Sequence, residues 1–385
     1  MTGPTDTHPL SPYGWDAGVA EDFAPYRSQG LVPARVARVD RGRCSVVVAR
    51  EGSTATVHAV TGPVAAGDTT PYVPTALFAK PSDGKLRTVC TGDWAAVDLE
   101  ADPPAVRALL PRRTAFVRST SSKRSDGQVL AANIDLVVIA VSLAVELDLA
   151  RMERFLALAW ECGAQPLLVL TKADLVEDPV SLGYLVSDCE AAAPGVPVLA
   201  VSAESGAGVD DLASAVAGGT AVLLGQSGAG KSTLANVLAG ADAQRVQAAR
   251  DSDGKGRHTT TTRDLMPLPG GGVLIDTPGL RGVGLWDAGS GIAQVFSEIE
   301  ELALSCRFHN CAHDAEPGCA VLAAVADGEL SDRRLHSYRK LLRENEWIAS
   351  RTDSRLEAEV RREWKRRQVI GRDRAQRAGE GLDDV

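Results

Sequence analysis

Four short stretches hold residues whose types and spacing could do chemistry together. The first is "GQSGAGKST", residues 225–233, which places Gly225, Gly230, Lys231 and Ser232 in the pattern G-x-x-x-x-G-K-[ST]. Its glycines let the backbone curl so that successive N–H groups face an anion. A helix starting near Lys231 would add its positive end. Gln226, Ser227, Gly228, Ala229 and Thr233 complete the cradle. Lys231 is expected to reach the outer phosphates, and the Ser232 hydroxyl to help hold Mg2+.

The second stretch is "TKAD", residues 171–174, which comes after the apolar run "QPLLVL". Asp174 offers two acceptor oxygens. Guanine presents two adjacent N–H donors on its N1 and N2 edge, and adenine does not. The Lys172 stem can lie along a base plane, with Thr171 and Ala173 flanking it. Some thirty residues on, "VSAESG" places backbone around Ser202 and Ala203 where it could meet the guanine oxygen. Together with the phosphate cradle, this predicts guanine specificity.

The third stretch is "DTPG", residues 276–279, after the strand-like run "GGVLID". Asp276 is expected to support Mg2+ and the Gly279 N–H to meet the γ-phosphate. "GRHTTTTRD", residues 256–264, lies between the cradle and DTPG, where a mobile switch belongs. Thr259 or Thr260 would complete the metal shell. Leu280 stands where many GTPases carry a glutamine that orients the attacking water. His258 is the candidate for that task, and the plain alternative is a histidine that packs or touches RNA. The fourth stretch is "CRFHNCAHDAEPGC". Cys306, Cys311, His313 and Cys319 could fill a closed tetrahedral Zn2+ shell, which implies a structural site; His309 is the alternative to His313.

The elements that must position these residues keep a strand–helix rhythm. "DLVVIAVS", "PLLVL", "PVLAVS", "AVLLG" and "GVLID" read as strands buried on both faces, with "LARMERFLALAWECG" and "GVDDLASAVAG" as helices between them. That alternation predicts a parallel, doubly wound sheet. The motif order is base, phosphate, switch, a circular permutation of the usual GTPase. DTPG then leads straight into the C-terminal domain. Before this region, "ARVARVD", "RCSVVVARE", "TATVHAV" and "DWAAVDLE" predict a small β-barrel or sandwich.

Composition sets limits. The chain has 385 residues, 44% hydrophobic and 24% charged, and only 4% aromatic, so its cores must be built from Val, Leu and Ala. The net charge of −9 argues against a uniform coat for nucleic acid or membrane. Residues 332–377 nonetheless carry fifteen Lys or Arg against eight Asp or Glu, a concentrated basic segment. The seven cysteines form no evident disulfide framework. No export signal and no span for a bilayer is visible; with reduced thiols, a cytoplasmic protein without membrane contact is expected, and a monomer is expected too.

The base–phosphate–switch order and the C-x4-C-x-H-x5-C knot together resemble the RsgA (YjeQ) family of ribosome-dependent GTPases over residues 30 to 350. The resemblance implies a multidomain α/β protein: an OB-fold-like N-terminal barrel, a circularly permuted P-loop GTPase domain and a zinc-binding helical domain. It implies binding of the small ribosomal subunit and its rRNA in late maturation, with that subunit stimulating hydrolysis of GTP to GDP. The expected boundaries are a flexible arm at 1–29, the barrel at 30–118, the GTPase domain at 119–290, the zinc domain at 291–350 and a basic tail at 351–385. Two rivals remain at this level: a nucleotide-dependent RNA clamp with incidental hydrolysis, and an ATP-dependent RNA-remodelling enzyme with adenine at Asp174.

Overall fold

The structure, a computed structural model, describes residues 8–40, 42–50, 52–61, 78–81, 87–118, 128–240, 263–276 and 288–350. The chain divides into two compact units, residues 1–117 with 129–282, and residues 118–128 with 283–385.

The first unit opens with a barrel. Strands β1 (Val32–Asp40), β2 (Arg43–Arg50) and β3 (Ser53–Thr61) form an antiparallel meander. After β4 (Phe78–Pro81) and β5 (Arg87–Thr88) come β6 (Trp94–Asp98) and β7 (Ala105–Leu109). β6 pairs with β1 and β7, and a parallel pairing of β7 with β3 closes a ring of five strands. Alternation along the strands turns Val36, Val46, Val48, Val97 and Val106 into its interior.

Residues 8–29 depart from the expected loose arm. Helix α1 (Ala17–Arg27) lays Val19 and Phe23 against Val47, Trp94 and Leu110, with Leu10 fully buried beside them. The Pro- and Gly-rich composition suggested disorder, but those few apolar side chains suffice to dock the segment. Asp16 caps the helix by accepting from the Val19 N–H at 2.8 Å, and it makes a two-pronged pair with Arg113 at 2.5 and 2.7 Å. The Arg113 bond above all holds the Asp16 carboxyl down at about 2. Since the folded value lies below the ordinary 3.8, this contribution is complete above 3.8 and fades as pH falls towards about 2. The pair is half exposed and adds little by itself. Asp16→Ala is expected to cost about 1 kcal/mol at neutral pH through the lost cap. Thermal melts should show that gap closing in acid.

After β8 (Ala115–Arg118) and β9 (Gln128–Ala132), which pair with each other, the chain enters a second sheet. Its strands are β10 (Leu136–Ser142), β11 (Gln165–Thr171), β12 (Val198–Val201), β13 (Thr220–Gly225), β14 (Asp264–Pro267) and β15 (Val273–Asp276). The order is β12-β11-β10-β13-β15-β14, parallel except for β14. All six residues of β13 are buried, as a strand covered on both faces requires. Helices α2 (Leu149–Glu161), α3 (Pro179–Ala192) and α4 (Val209–Val216), with α5 over residues 231–240, lie between the strands of this region. The edge strand β14 lies against β1 of the barrel. There Thr91 Oγ1 donates to the Arg263 carbonyl at 3.1 Å, and Arg38 pairs with Asp264 at 3.5 Å.

The second unit is helical: α6 (Gly289–Val295), α7 (Ser297–Ala303), α8 (Ala320–Ala326) and α9 (Asp332–Ser350). Ile292, Phe296, Ile299, Val321 and Leu335 are almost fully buried, each such side chain contributing about 1.5–3 kcal/mol. Arg334 stacks over Phe296 at 4.3 Å and binds Glu298 at 2.7 Å. Among the described residues no helix is long and apolar enough to cross a membrane. The basic tail after residue 350 lies outside the described residues.

Candidate functional site

The C-terminal ends of β10, β11 and β13 bring two of the motifs together, as parallel sheets do with ligand sites. β13 ends at Gly225, where φ is +149° and an added Cβ would lie 2.4 Å from the Ala140 carbonyl oxygen. Only glycine fits where the loop leaves the strand. Residues 226–230 then turn into α5. Lys231 folds back over the loop, its Nζ donating to the carbonyls of Gly225 at 2.8 Å and Gln226 at 2.5 Å. Ser232 and Thr233 are exposed at the start of α5.

The loop is bolted to the end of strand β11. Thr171, buried at the end of β11, donates from Oγ1 to the Ala229 carbonyl at 2.9 Å. Lys172 comes next in a left-handed conformation with φ of 59°, turning the chain sharply into the short helix Ala173–Leu175. Asp174 is exposed, but Ser202 Oγ donates to its Oδ1 at 2.5 Å. Ser202 is itself buried and accepts from the Ser205 N–H at 3.1 Å. Ala203 lies half-buried beside it. The close packing of this loop depends on Gly208, where an added Cβ would collide with the Ala200 carbonyl. One carboxylate is thereby held in a fixed orientation, with acceptor capacity left for paired donors.

Asp276 closes β15, directly opposite Asp264 in the antiparallel register with β14. Burial first, and the Asp264 charge second, raise its carboxyl above the usual aspartate range, while the Lys231 ammonium opposes them. Two carboxylates thus face each other where the Lys231 ammonium also acts on Asp276. His258, Thr259, Thr260, Gly279 and Leu280 lie outside the described residues.

In the second unit, Cys306, Cys311, His313 and Cys319 bring their ligand atoms within 4.8 Å of one another. His313 takes part through Nδ1, 3.6 Å from the Cys306 sulfur and 3.4 Å from that of Cys319. It adopts φ of 55°, a conformation that local structure has to enforce. His309 is not part of the cluster. Three thiols and one imidazole converging in this way fit a closed tetrahedral metal shell.

Sequence reasoning missed the organiser of this knot. Glu316 accepts from the N–H groups of Ala312 at 3.0 Å, Asp314 at 2.8 Å and Ala315 at 3.1 Å. Desolvation alone would push its carboxyl up; the backbone donors outweigh it and hold the value at about 2. An acidic residue between two ligands was the only signal available. Glu316→Ala is expected to weaken metal retention by about 10–100-fold, the usual cost of removing a ligand's support. Competition with a chromogenic chelator would read that change.

A phosphate loop placed after its base-reading loop in the chain, on a parallel sheet, with a Cys3His knot beyond, defines a circularly permuted P-loop GTPase carrying a metal-site unit. The profile of the RsgA GTPase family matches residues 109–286. The small ribosomal subunit biogenesis GTPase RsgA of Streptomyces coelicolor is 65% identical over 363 residues, which is 94% of each chain. The protein of that name from Syntrophotalea carbinolica is 40% identical over 367 residues, 92% of this chain and 94% of the relative. The chain belongs to the RsgA GTPase family. Its fold is similar to YjeQ from Thermotoga maritima, with a TM-score of 0.56 at 22% identity over 82% of this chain and 98% of that one. It is also similar to YloQ, a circularly permuted GTPase, with a TM-score of 0.57 at 23% identity over 82% and 95%.

Proposed function

We propose that this chain hydrolyses GTP to GDP and phosphate in the biogenesis of the small ribosomal subunit, binding the subunit late in maturation and using hydrolysis as its release switch. The observation that carries the reading is the Ser202-oriented Asp174 carboxylate on a loop that Thr171 bolts to the phosphate cradle. Asp174 accepts from the N1 and N2 donors of guanine, the Lys172 stem flanks the ring, and the backbone at Ser202 and Ala203 meets its oxygen. The N–H groups of residues 225–233 face the phosphates. Lys231 is already oriented by two carbonyls and exchanges them for phosphate oxygens. Ser232 and Asp276, with Thr259 or Thr260, are the residues that would hold Mg2+, which when bound neutralises charge on the phosphates. Gly279 contacts the γ-phosphate, and His258 orients the attacking water because Leu280 cannot.

The closed ring of five strands supports an OB-like, rRNA-facing barrel. Zn2+ is the ion assigned to Cys306, Cys311, His313 and Cys319, with a structural role. The protein acts as a cytoplasmic monomer without membrane contact. The test is the GTP turnover rate with and without purified small subunits. An increase by orders of magnitude, comparable to that of other partner-activated GTPases, is expected. A flat rate would favour the clamp reading.

A further inference from the structure

Residues 143–230, which build α2, β11, α3, β12, α4 and β13, hold twelve Asp or Glu against three Lys or Arg and no His. That stretch alone carries a net charge of −9, equal to that of the whole chain. From Ala173 to Gly230 there is no cation, and all eight acids of that run are exposed. Two of them have local work. Asp174 is held by Ser202 in the base-reading loop, and Asp178 caps α3, accepting from the N–H groups of Val180 at 3.2 Å and Ser181 at 3.0 Å.

On this acidic ground α3 presents apolar side chains. Its first two turns hold Val180, Leu182, Tyr184, Leu185 and Val186, and none of them is buried. The buried residues of the helix are Cys189 and Ala192, at its far end. Val180 is 62% exposed and Tyr184 69%, and Leu175, just before the helix, is 56% exposed. Val180 and Tyr184 are four positions apart and so share one face. Glu177 and Asp178 precede the pair, and Asp188 follows one turn after Tyr184. A single exposed apolar residue is ordinary. Apolar residues on successive turns of a helix that buries so little, with a charged rim around them, mark an interaction surface.

We propose that the exposed face of α3 docks a basic segment of a protein of the small ribosomal subunit, one that carries Lys or Arg around apolar side chains. The inference rests on the function proposed above and names the component of the subunit that this face meets. Val180 and Tyr184 are the apolar anchors, and Glu177, Asp188 and Glu190 are the rim that steers and orients a cationic partner. Charge complementarity fixes the class. RNA is a polyanion and binds where Lys and Arg neutralise its phosphates, and the run from Ala173 to Gly230 has neither. Proteins seated on rRNA are basic for that same reason. A second copy docked symmetrically would set the same acids against each other.

The test puts a photo-cross-linking benzoylphenylalanine in place of Tyr184 in the full-length protein, bound to purified small subunits with a non-hydrolysable GTP analogue. Cross-linking to a basic subunit protein is expected, with the rRNA unlabelled. Val180→Ser combined with Tyr184→Ser should lower subunit affinity about tenfold, and Asp188→Lys combined with Glu190→Lys by a similar factor. GDP affinity and melting temperature should be unchanged in both variants. The charge reversal discriminates by sign, because added lysines would tighten binding if RNA stood opposite this face. The proposal is overturned by tighter binding of the lysine variant, or by unchanged affinity of both variants. It is equally overturned by no cross-link, or by a cross-link to rRNA, within the chain or to a second copy. If the unsubstituted protein does not bind subunits, the reading of function falls as well; binding that both variants leave intact removes the docking face alone.

Discussion

Replacing Asp174 with asparagine is expected to lower GTP affinity by roughly a hundredfold or more. Two charge-assisted hydrogen bonds to one base edge are lost or inverted, and each is worth about 1.5–3 kcal/mol. The amide nitrogen of asparagine would face donors of guanine, but it complements the C2 carbonyl of xanthine. Xanthosine nucleotides should therefore gain affinity as guanosine nucleotides lose it. Because Ser202 Oγ donates to Asp174 Oδ1, asparagine can keep that bond through its own oxygen. The loop should hold its shape, and the change should be one of specificity. Calorimetry with both nucleotides measures this directly. Unchanged GTP affinity in the variant would remove guanine reading from this loop.

Removing metal from the Cys3His cluster should produce the largest structural effect. The apparent binding energy of structural zinc is about 10–16 kcal/mol at neutral pH, as large as the whole stability of a typical domain. The segment has little core of its own to replace it: Leu304 is 87% exposed and Phe308 41%. A strong chelator, or Cys311→Ser, is therefore expected to unfold the knot and loosen α8, whose N-cap is Cys319 of the cluster. There the Cys319 sulfur accepts from the Leu322 N–H at 3.4 Å. Zinc content of one ion per chain, lost together with helical signal, is the expected result. A melting temperature insensitive to chelation would count against a structural metal. The separate nucleotide site should still bind GDP.

Much of the fold and the site was legible because the deciding signals are local. The runs that became β10, β11, β13 and β15 are continuous apolar segments, and the phosphate loop is a pattern of glycines with an obligatory backbone shape. β14 gave little signal, since it is four residues long, ends in proline and finds its place only through β15 and the barrel. α3 was also missed. It has few buried residues to create a helical period, although Asp178 and the proline after it form a recognisable start. The support residues were harder still. Thr171 reaches Ala229 across 58 positions, and Arg35 reaches Thr220 across 185. No spacing rule sees such partners, because folding alone brings them together. The docking of residues 8–29 was hidden for a related reason: its partners Val47 and Trp94 are on distant strands.

The contact of β14 with the barrel also limits how the protein can be divided. Among the described residues β14 is the outermost strand of its sheet, with no further strand beside it, and β1, Thr91 and Arg38 stand guard there. An excised nucleotide-binding half would offer this rim to other copies of itself. Self-association in solution, in place of a tidy stand-alone module, is the consequence for anyone who truncates the chain at the barrel.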